Sequence, residues 1–301
     1  MKSAKYTLIT GASEGFGKSL AIECASHKMN LVLVALPGPQ LHNLAKYIEK
    51  NYNVSVIALE LDLRQEGNCE KLHEAISSQK ICIQYMINNA GLLSRGYLAD
   101  METEYVLDQI KVNIIAPTIL IKLFLKDLQQ NAPSGILNVS SMASFFYLPQ
   151  KQVYGATKSY LLSFSKSLRR ELKRDHISVT TVCPGGMNTS PKLIYQNRIG
   201  SWGSRKSIME PEDVAKISIE AMLKRKDVVI PGMVNHFFMF LDLILPGFIK
   251  EMITDSYIKK ASSHQELTQS PNKKTAPLYI KKQLKDGTYP FNVALQNNFQ
   301  R

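Results

Sequence analysis

The sequence predicts a three-layer α/β fold built on a doubly wound, mostly parallel sheet of about seven strands. Three observations predict it. Apolar strand-like runs alternate with helical patterns without interruption up to about residue 232. Runs such as "NLVLVAL" (30–36) are apolar throughout, as expected of a parallel sheet covered on both faces. Three glycines, Gly11, Gly15 and Gly17, stand directly between the first strand and the first helix.

The elements follow in order. "YTLIT" (6–10) is a β-branched and aromatic run, and a helical pattern follows the glycines through Ser26. After the strand at 30–36, "LHNLAKYIEKNY" (41–52) has helical spacing, "VSVIALELDL" (54–63) reads as a strand and 66–79 as a helix. "IQYMINNAG" (83–91) is strand then turn, and 101–130 reads as one long helix. "GILNVSS" (135–141) is a strand, 151–174 a helix, and "SVTTVCPGG" (178–186) a strand and turn. "PEDVAKISIEAML" (211–223) places Pro211 at the first helical position, and "DVVIPG" (227–232) is the last strand. Consecutive parallel strands imply right-handed crossovers. The organisation expected is a catalytic and cofactor-binding domain at 1–232, a C-terminal hydrophobic helical segment of the same domain at 233–262, and a mobile basic tail at 263–301.

Composition narrows the function classes. The chain has 301 residues, 45% hydrophobic and 21% charged, with a formal charge of +12. From Lys250 onward, nine Lys and Arg face four Asp and Glu, so this stretch carries +5 of the total. That excess reads as a solvated basic tail, or as a surface for a membrane or an acyl carrier. No basic stripe is interleaved with aromatics, which argues against nucleic acid. Cys24, Cys69, Cys82 and Cys183 are far apart and form no C-x-x-C pair, as expected of thiols in a reducing compartment. The six histidines lack ligand spacing, so no metal is expected. The first strand begins almost at once, with no secretory signal before it, so a cytoplasmic protein is expected, with contact to a membrane surface as an alternative. The greasiest stretch, 235–250, is interrupted by Asp242 and Pro246 and is too short to span a bilayer.

From Thr10 to Gly17 the sequence reads T-G-x-x-x-G-x-G. Gly11 permits a tight turn, while Gly15 and Gly17 let a pyrophosphate approach the backbone and the helix pack on the strand. The helix N-terminus then offers unpaired N–H groups and a positive dipole end to phosphate.

"NNAG" (88–91), "NVSS" (138–141), "YGATK" (154–158) and "PGG" (184–186) follow in order. With the glycine turn they make the chain resemble the short-chain dehydrogenase/reductase family, classical type, over residues 5 to about 232. The resemblance implies a Rossmann-type fold, NADP(H) or NAD(H), and hydride transfer between nicotinamide and a carbonyl or alcohol carbon. It implies Tyr154 as general acid/base and Lys158 as its partner. Ser141, thirteen positions before the tyrosine, would hydrogen-bond the substrate oxygen, and Asn113 in "KVNIIAP" would hold a water in the proton relay. Gly11, Ser13, Gly15, Phe16 and Gly17 would meet the pyrophosphate. Asp62 and Leu63 would lie beside the adenine, and Asn89, Ala90 and Gly91 beside its ribose. Tyr154, Lys158, Pro184, Gly185 and Thr189 would hold the nicotinamide end. A homodimer or homotetramer is expected by the same resemblance.

The residues themselves support this chemistry. Carbonyl reduction places negative charge on oxygen, so a proton donor must stand within hydrogen-bond reach. Free tyrosine titrates near 10, and a nearby ammonium is expected to lower that value. Tyr154 and Lys158 are i and i+4 on one predicted helix and share a face. Ser141 adds a donor to the developing oxyanion.

Cofactor choice is read at the end of the second strand, where an acid accepts the ribose 2′-OH and a base welcomes a 2′-phosphate. Leu36 is neither, and Glu14 in the glycine turn would disfavour phosphate if it points inward. Gly38 with the loop amides, and Arg64, are candidates to hold one. The missing acid leans the expectation to NADP(H).

Substrate contacts are expected from 190–206, with Leu193, Ile194, Tyr195 and Trp202 flanked by Arg198, Arg205 and Lys206, and from the apolar helix at 235–245. That helix reads as core or dimer packing, as a substrate wall, or as a membrane contact. The expected function is an NAD(P)(H)-dependent oxidoreductase, a reductase of a hydrophobic ketone or oxo-acyl substrate. The alternative is a catalytically weak cofactor-binding regulator or a peripheral membrane scaffold using the basic tail.

Overall fold

In the computed structural model, residues 4–93, 96–189, 193–194 and 206–245 are described. Most of the expected substrate loop and the whole 263–301 tail lie outside them. The elements are β1 (Lys5–Thr10), α1 (Gly15–Ser26), β2 (Asn30–Ala35), α2 (Pro39–Tyr52), β3 (Val56–Glu60), α3 (Asn68–Ser78) and β4 (Cys82–Asn88). Then come α4 (Thr103–Ile110), α5 (Ala116–Gln130), β5 (Ser134–Val139), α6 (Gln152–Glu171), β6 (Ile177–Val182), α7 (Pro211–Leu223), β7 (Val228–Val229) and α8 (Met233–Ile244).

The seven strands form one sheet in the order β3-β2-β1-β4-β5-β6-β7, and every pairing is parallel. The order reverses between β1 and β4, so the C-terminal ends of these two strands border the crevice of a doubly wound sheet. Alternation across the pleat builds the layers. Ile9, Leu31 and Leu33 face a core completed by Leu20 and Cys24 of α1, Leu41 of α2 and Ile219 of α7. Leu8, Val32 and Val34 face the opposite core, completed by Leu72 of α3, Phe124 of α5 and Leu168 of α6. The continuous apolar strands are therefore double-sided because helices cover both faces.

The one helix expected over 101–130 is two, α4 and α5, joined by a π-helical stretch, Lys111–Ile115. Two causes act together. Pro117, in the first turn of α5, has no N–H to give the Asn113 carbonyl four residues earlier. The Asn113 side chain is also held from outside: Oδ1 accepts the Leu92 N–H at 2.8 Å, and Nδ2 donates to the Leu92 carbonyl at 3.0 Å. Widening the helix at this point keeps both.

The other boundaries move less. The strand expected over 54–63 is ordered as a strand only at Val56–Glu60, because Asp62 and Leu63 already belong to the loop at the crevice. The helix expected over 151–174 ends at Glu171 and tightens into a 3₁₀ turn, Leu172–Asp175. Of the cysteines, Cys24, Cys69 and Cys183 are buried and Cys82 is intermediate.

Candidate active site

The glycine turn sits at the C-terminal end of β1. Gly11 has φ +64, and a Cβ on Gly17 would fall 1.9 Å from the Gly11 carbonyl oxygen, so only glycine fits there. The first turn of α1 has no side-chain cap and contains no acid, which leaves its N–H groups to an anion. A dinucleotide pyrophosphate fits this cradle. Glu14, the N-cap residue of α1, is exposed. Phe16 buries its ring in the core, so its side chain is structural; only its backbone faces this task. Ser13 is half-buried within the turn.

The "NNAG" segment is tied to this turn. Thr10 Oγ1 accepts the N–H groups of Asn89 and Ala90, each at 3.1 Å, and Asn89 Nδ2 donates to the carbonyls of Thr10 and Gly11, each at 3.0 Å. Leu63 and Ala90 line one pocket with Thr10, Asn88 and Val112. Asp62 is paired within its own loop. Arg64 holds its carboxylate in a fork, Nε to Oδ1 at 2.9 Å and a second nitrogen to Oδ2 at 2.8 Å, and this keeps Asp62 below the usual carboxylate range. Arg64 also donates to Asp108 at 2.8 Å. The arginine considered for a 2′-phosphate is therefore already committed to two carboxylates.

The catalytic candidates converge from three elements. Ser141 caps the 3₁₀ turn after β5, Oγ accepting the Ala143 N–H at 3.1 Å. Tyr154 and Lys158 lie on α6, with Lys158 Nζ 5.8 Å from the centre of the Tyr154 ring. Asn113 comes from the π-helical stretch, and its Nδ2 reaches Thr157 Oγ1 on α6 at 3.0 Å. Asn113 and Lys158 are buried, while Ser141 and Tyr154 are largely buried. The remaining expected residues close the site. The Pro184 carbonyl accepts the Met142 N–H at 2.8 Å, and Thr189 lies against Gly15. The 184–189 segment therefore bridges the serine turn and the phosphate turn.

The electrostatics correct one expectation. Tyr154 is raised above its usual 10, mainly because burial penalises phenolate, although a hydrogen bond from Ser141 works the other way. The expected lowering by Lys158 does not occur. Its ammonium faces the ring and donates to the Val139 carbonyl at 2.8 Å, and burial pushes Lys158 down to about 8. The resting site thus favours the phenol, the form that donates a proton.

Thr157 lies inside "YGATK" but was given no role there, and Asn235 carries no motif in the sequence. Asn235 of α8 is buried, donates to the Pro231 carbonyl at 2.7 Å, and would stand 2.7 Å from a Cβ on Gly185. The contact is tertiary, and an isolated asparagine in an apolar helix was its only trace in the sequence. Of the loop residues, Leu193 and Ile194 are half-buried and Lys206 is exposed, whereas Tyr195, Arg198, Trp202 and Arg205 lie outside the described residues. Among the described residues no cluster of three metal-ligating side chains occurs.

A parallel seven-stranded sheet with a glycine turn at its crevice and a Ser-Tyr-Lys-Asn cluster beside it defines a dinucleotide-dependent oxidoreductase. The chain belongs to the short-chain dehydrogenase family, whose model, described as short chain dehydrogenase, matches residues 5–193. Such enzymes act on CH–OH and C=O groups. The NADP-dependent 3-hydroxy acid dehydrogenase of Schizosaccharomyces pombe is 31% identical over 75% of this chain and 90% of that protein. The very-long-chain 3-oxoacyl-CoA reductase-A of Danio rerio is 30% identical over 61% of this chain, which spans 58% of that protein. A short-chain dehydrogenase from Sphingobium yanoikuyae in complex with NADPH has the same fold, with TM-score 0.68 and 24% identity over 91% of this chain and 98% of that one.

Proposed function

We propose that this protein is an NADP(H)-leaning carbonyl reductase of a hydrophobic ketone or oxo-acyl compound, with Tyr154 as general acid/base. The observation that carries the reading is the meeting of Ser141, Tyr154 and Lys158 beside the turn formed by Pro184 and Gly185. A bound nicotinamide would supply the hydride to the carbonyl carbon. Tyr154, protonated at neutral pH, gives its proton to the oxygen as charge develops there. Ser141 orients that oxygen and donates a second hydrogen bond. Lys158, fixed by the Val139 carbonyl, stands against the Tyr154 ring, and the buried Asn113 braces α6 through Thr157.

The lean to NADP(H) is supported by the uncharged Leu36 at the end of β2 and by the NADP dependence in the name of the Schizosaccharomyces relative. The hydrophobic substrate class is supported by α8, where Phe237, Phe238 and Phe240 are exposed at 57%, 37% and 58%. The name of the Danio relative, a very-long-chain 3-oxoacyl-CoA reductase, points the same way. Following NADPH oxidation with 3-oxoacyl thioesters and ketones of rising chain length tests the proposal. Turnover that rises with chain length supports it. Turnover confined to small polar carbonyls overturns the substrate class, and none with any carbonyl overturns the enzyme.

A further inference from the structure

The corner where the ribose 2′ position is read holds a charge that does not come from β2. Glu60 closes β3, paired in register with Ala35 at the end of β2. Its Oε1 accepts the Gly38 N–H at 3.0 Å, just before α2 begins. The same oxygen lies 3.2 Å from His42 Nε2, one turn into α2. Two contacts to one oxygen hold the carboxylate over the end of the second strand, where doubly wound dinucleotide folds carry their ribose-reading residue. The glycine turn is tied to this corner by the Ala12 N–H, which donates to the Val34 carbonyl at 3.1 Å. Arg64 is committed to Asp62 and Asp108, Glu14 is exposed at the start of α1, and Leu36 is apolar and 54% exposed.

We propose that Glu60 is the residue that sets cofactor discrimination in this chain. Its carboxylate replaces, from the neighbouring strand, the acid that β2 lacks. It offers an acceptor to a ribose 2′-OH and opposes a 2′-phosphate, which would compete for the Gly38 N–H and meet a like charge. His42 positions the carboxylate on Gly38. Glu60 therefore restrains the NADP(H) lean that the uncharged Leu36 permits. The inference rests on the reading of this site as a dinucleotide site.

The test is calorimetric titration of the full-length protein, and of its Glu60→Gln variant, with 2′,5′-ADP, 5′-AMP, NADP⁺ and NAD⁺. Glu60→Gln is expected to tighten 2′,5′-ADP and NADP⁺ about tenfold while moving 5′-AMP and NAD⁺ less than threefold. Glu60→Ser serves as a second charge-removing variant if the glutamine protein does not fold. Glu74→Gln, which removes an exposed carboxylate from α3, is expected to leave the preference unchanged. If wild type binds and the ratio of phosphorylated to unphosphorylated ligand moves less than twofold in the Glu60 variants, the assignment to Glu60 fails alone. If it moves as much in Glu74→Gln, general charge and not Glu60 is responsible. If wild type binds none of the four ligands, the dinucleotide reading fails and this inference with it.

Discussion

Lys158 should destabilise the protein it serves, and the cost can be read from pH. Burial lowers its ammonium from the ordinary 10.5 to about 8. That fall corresponds to about 3 kcal/mol, at ~1.36 kcal/mol for each tenfold change in the proton-binding constant. Between pH 8 and 10.5 the unfolded chain holds a proton on this group that the native chain has released, so alkali favours the native state. Below pH 8 both states carry the proton, and the native state pays the full penalty of burying it. Lys158→Met removes the titration. It also leaves the Val139 carbonyl without its donor, at a cost of about 1–3 kcal/mol. That loss is independent of pH and cancels from the difference between two pH values. Urea unfolding of wild type and Lys158→Met at pH 7.5 and pH 10 would measure it. Wild type should gain about 2–3 kcal/mol relative to the variant on going to the higher pH. Stability curves that run parallel across this window would refute the reasoning, because they would mean that the buried ammonium carries no desolvation penalty.

Other outcomes follow from the same geometry. Tyr154→Phe should lower turnover by about 10²–10⁴-fold while dinucleotide affinity, measured by calorimetry, stays within a few-fold. Because burial raises Tyr154 above 10, initial rates of alcohol oxidation should climb with pH through 9, whereas carbonyl reduction should show no loss between pH 6 and 8. Gly17→Ala drives a Cβ into the Gly11 carbonyl and should abolish dinucleotide binding in the same titration, with a stability loss of about 3 kcal/mol by urea unfolding. Asn113→Ala leaves the Leu92 N–H and carbonyl without their partner and removes the donor to Thr157, and should cost about 2–4 kcal/mol on thermal or urea unfolding, with turnover falling in parallel.

The extent to which the site could be read in advance differed from residue to residue. The glycine turn, "NNAG", and the serine, tyrosine and lysine were legible as candidates because they stand in short motifs whose order and spacing carry the family resemblance. Gly11 must turn, Gly17 must yield to a backbone, and Tyr154 and Lys158 must share one helix face. Phe16 was legible as part of a motif but not as a core side chain, since burial depends on which helix covers it. The break at 111–115 was hidden, because its cause lies partly in Leu92, about twenty residues away in sequence. Arg64 looked available for phosphate until its two carboxylates were placed.

By itself the sequence determined the parallel doubly wound fold, the place of the glycine turn between β1 and α1, and the shared helix face of Tyr154 and Lys158. These follow from periodicity, glycine stereochemistry and helical spacing, all of which act within a few residues. Only the tertiary structure decided the surroundings of Lys158 and the contact of Glu60 with Gly38. Lys158 is tuned by burial and by the Val139 carbonyl, Asn235 reaches Gly185 from another element, and Glu60 reaches Gly38 from a neighbouring strand. Desolvation and through-space charge depend on what packs around a group, and that is set by contacts between residues far apart in the chain.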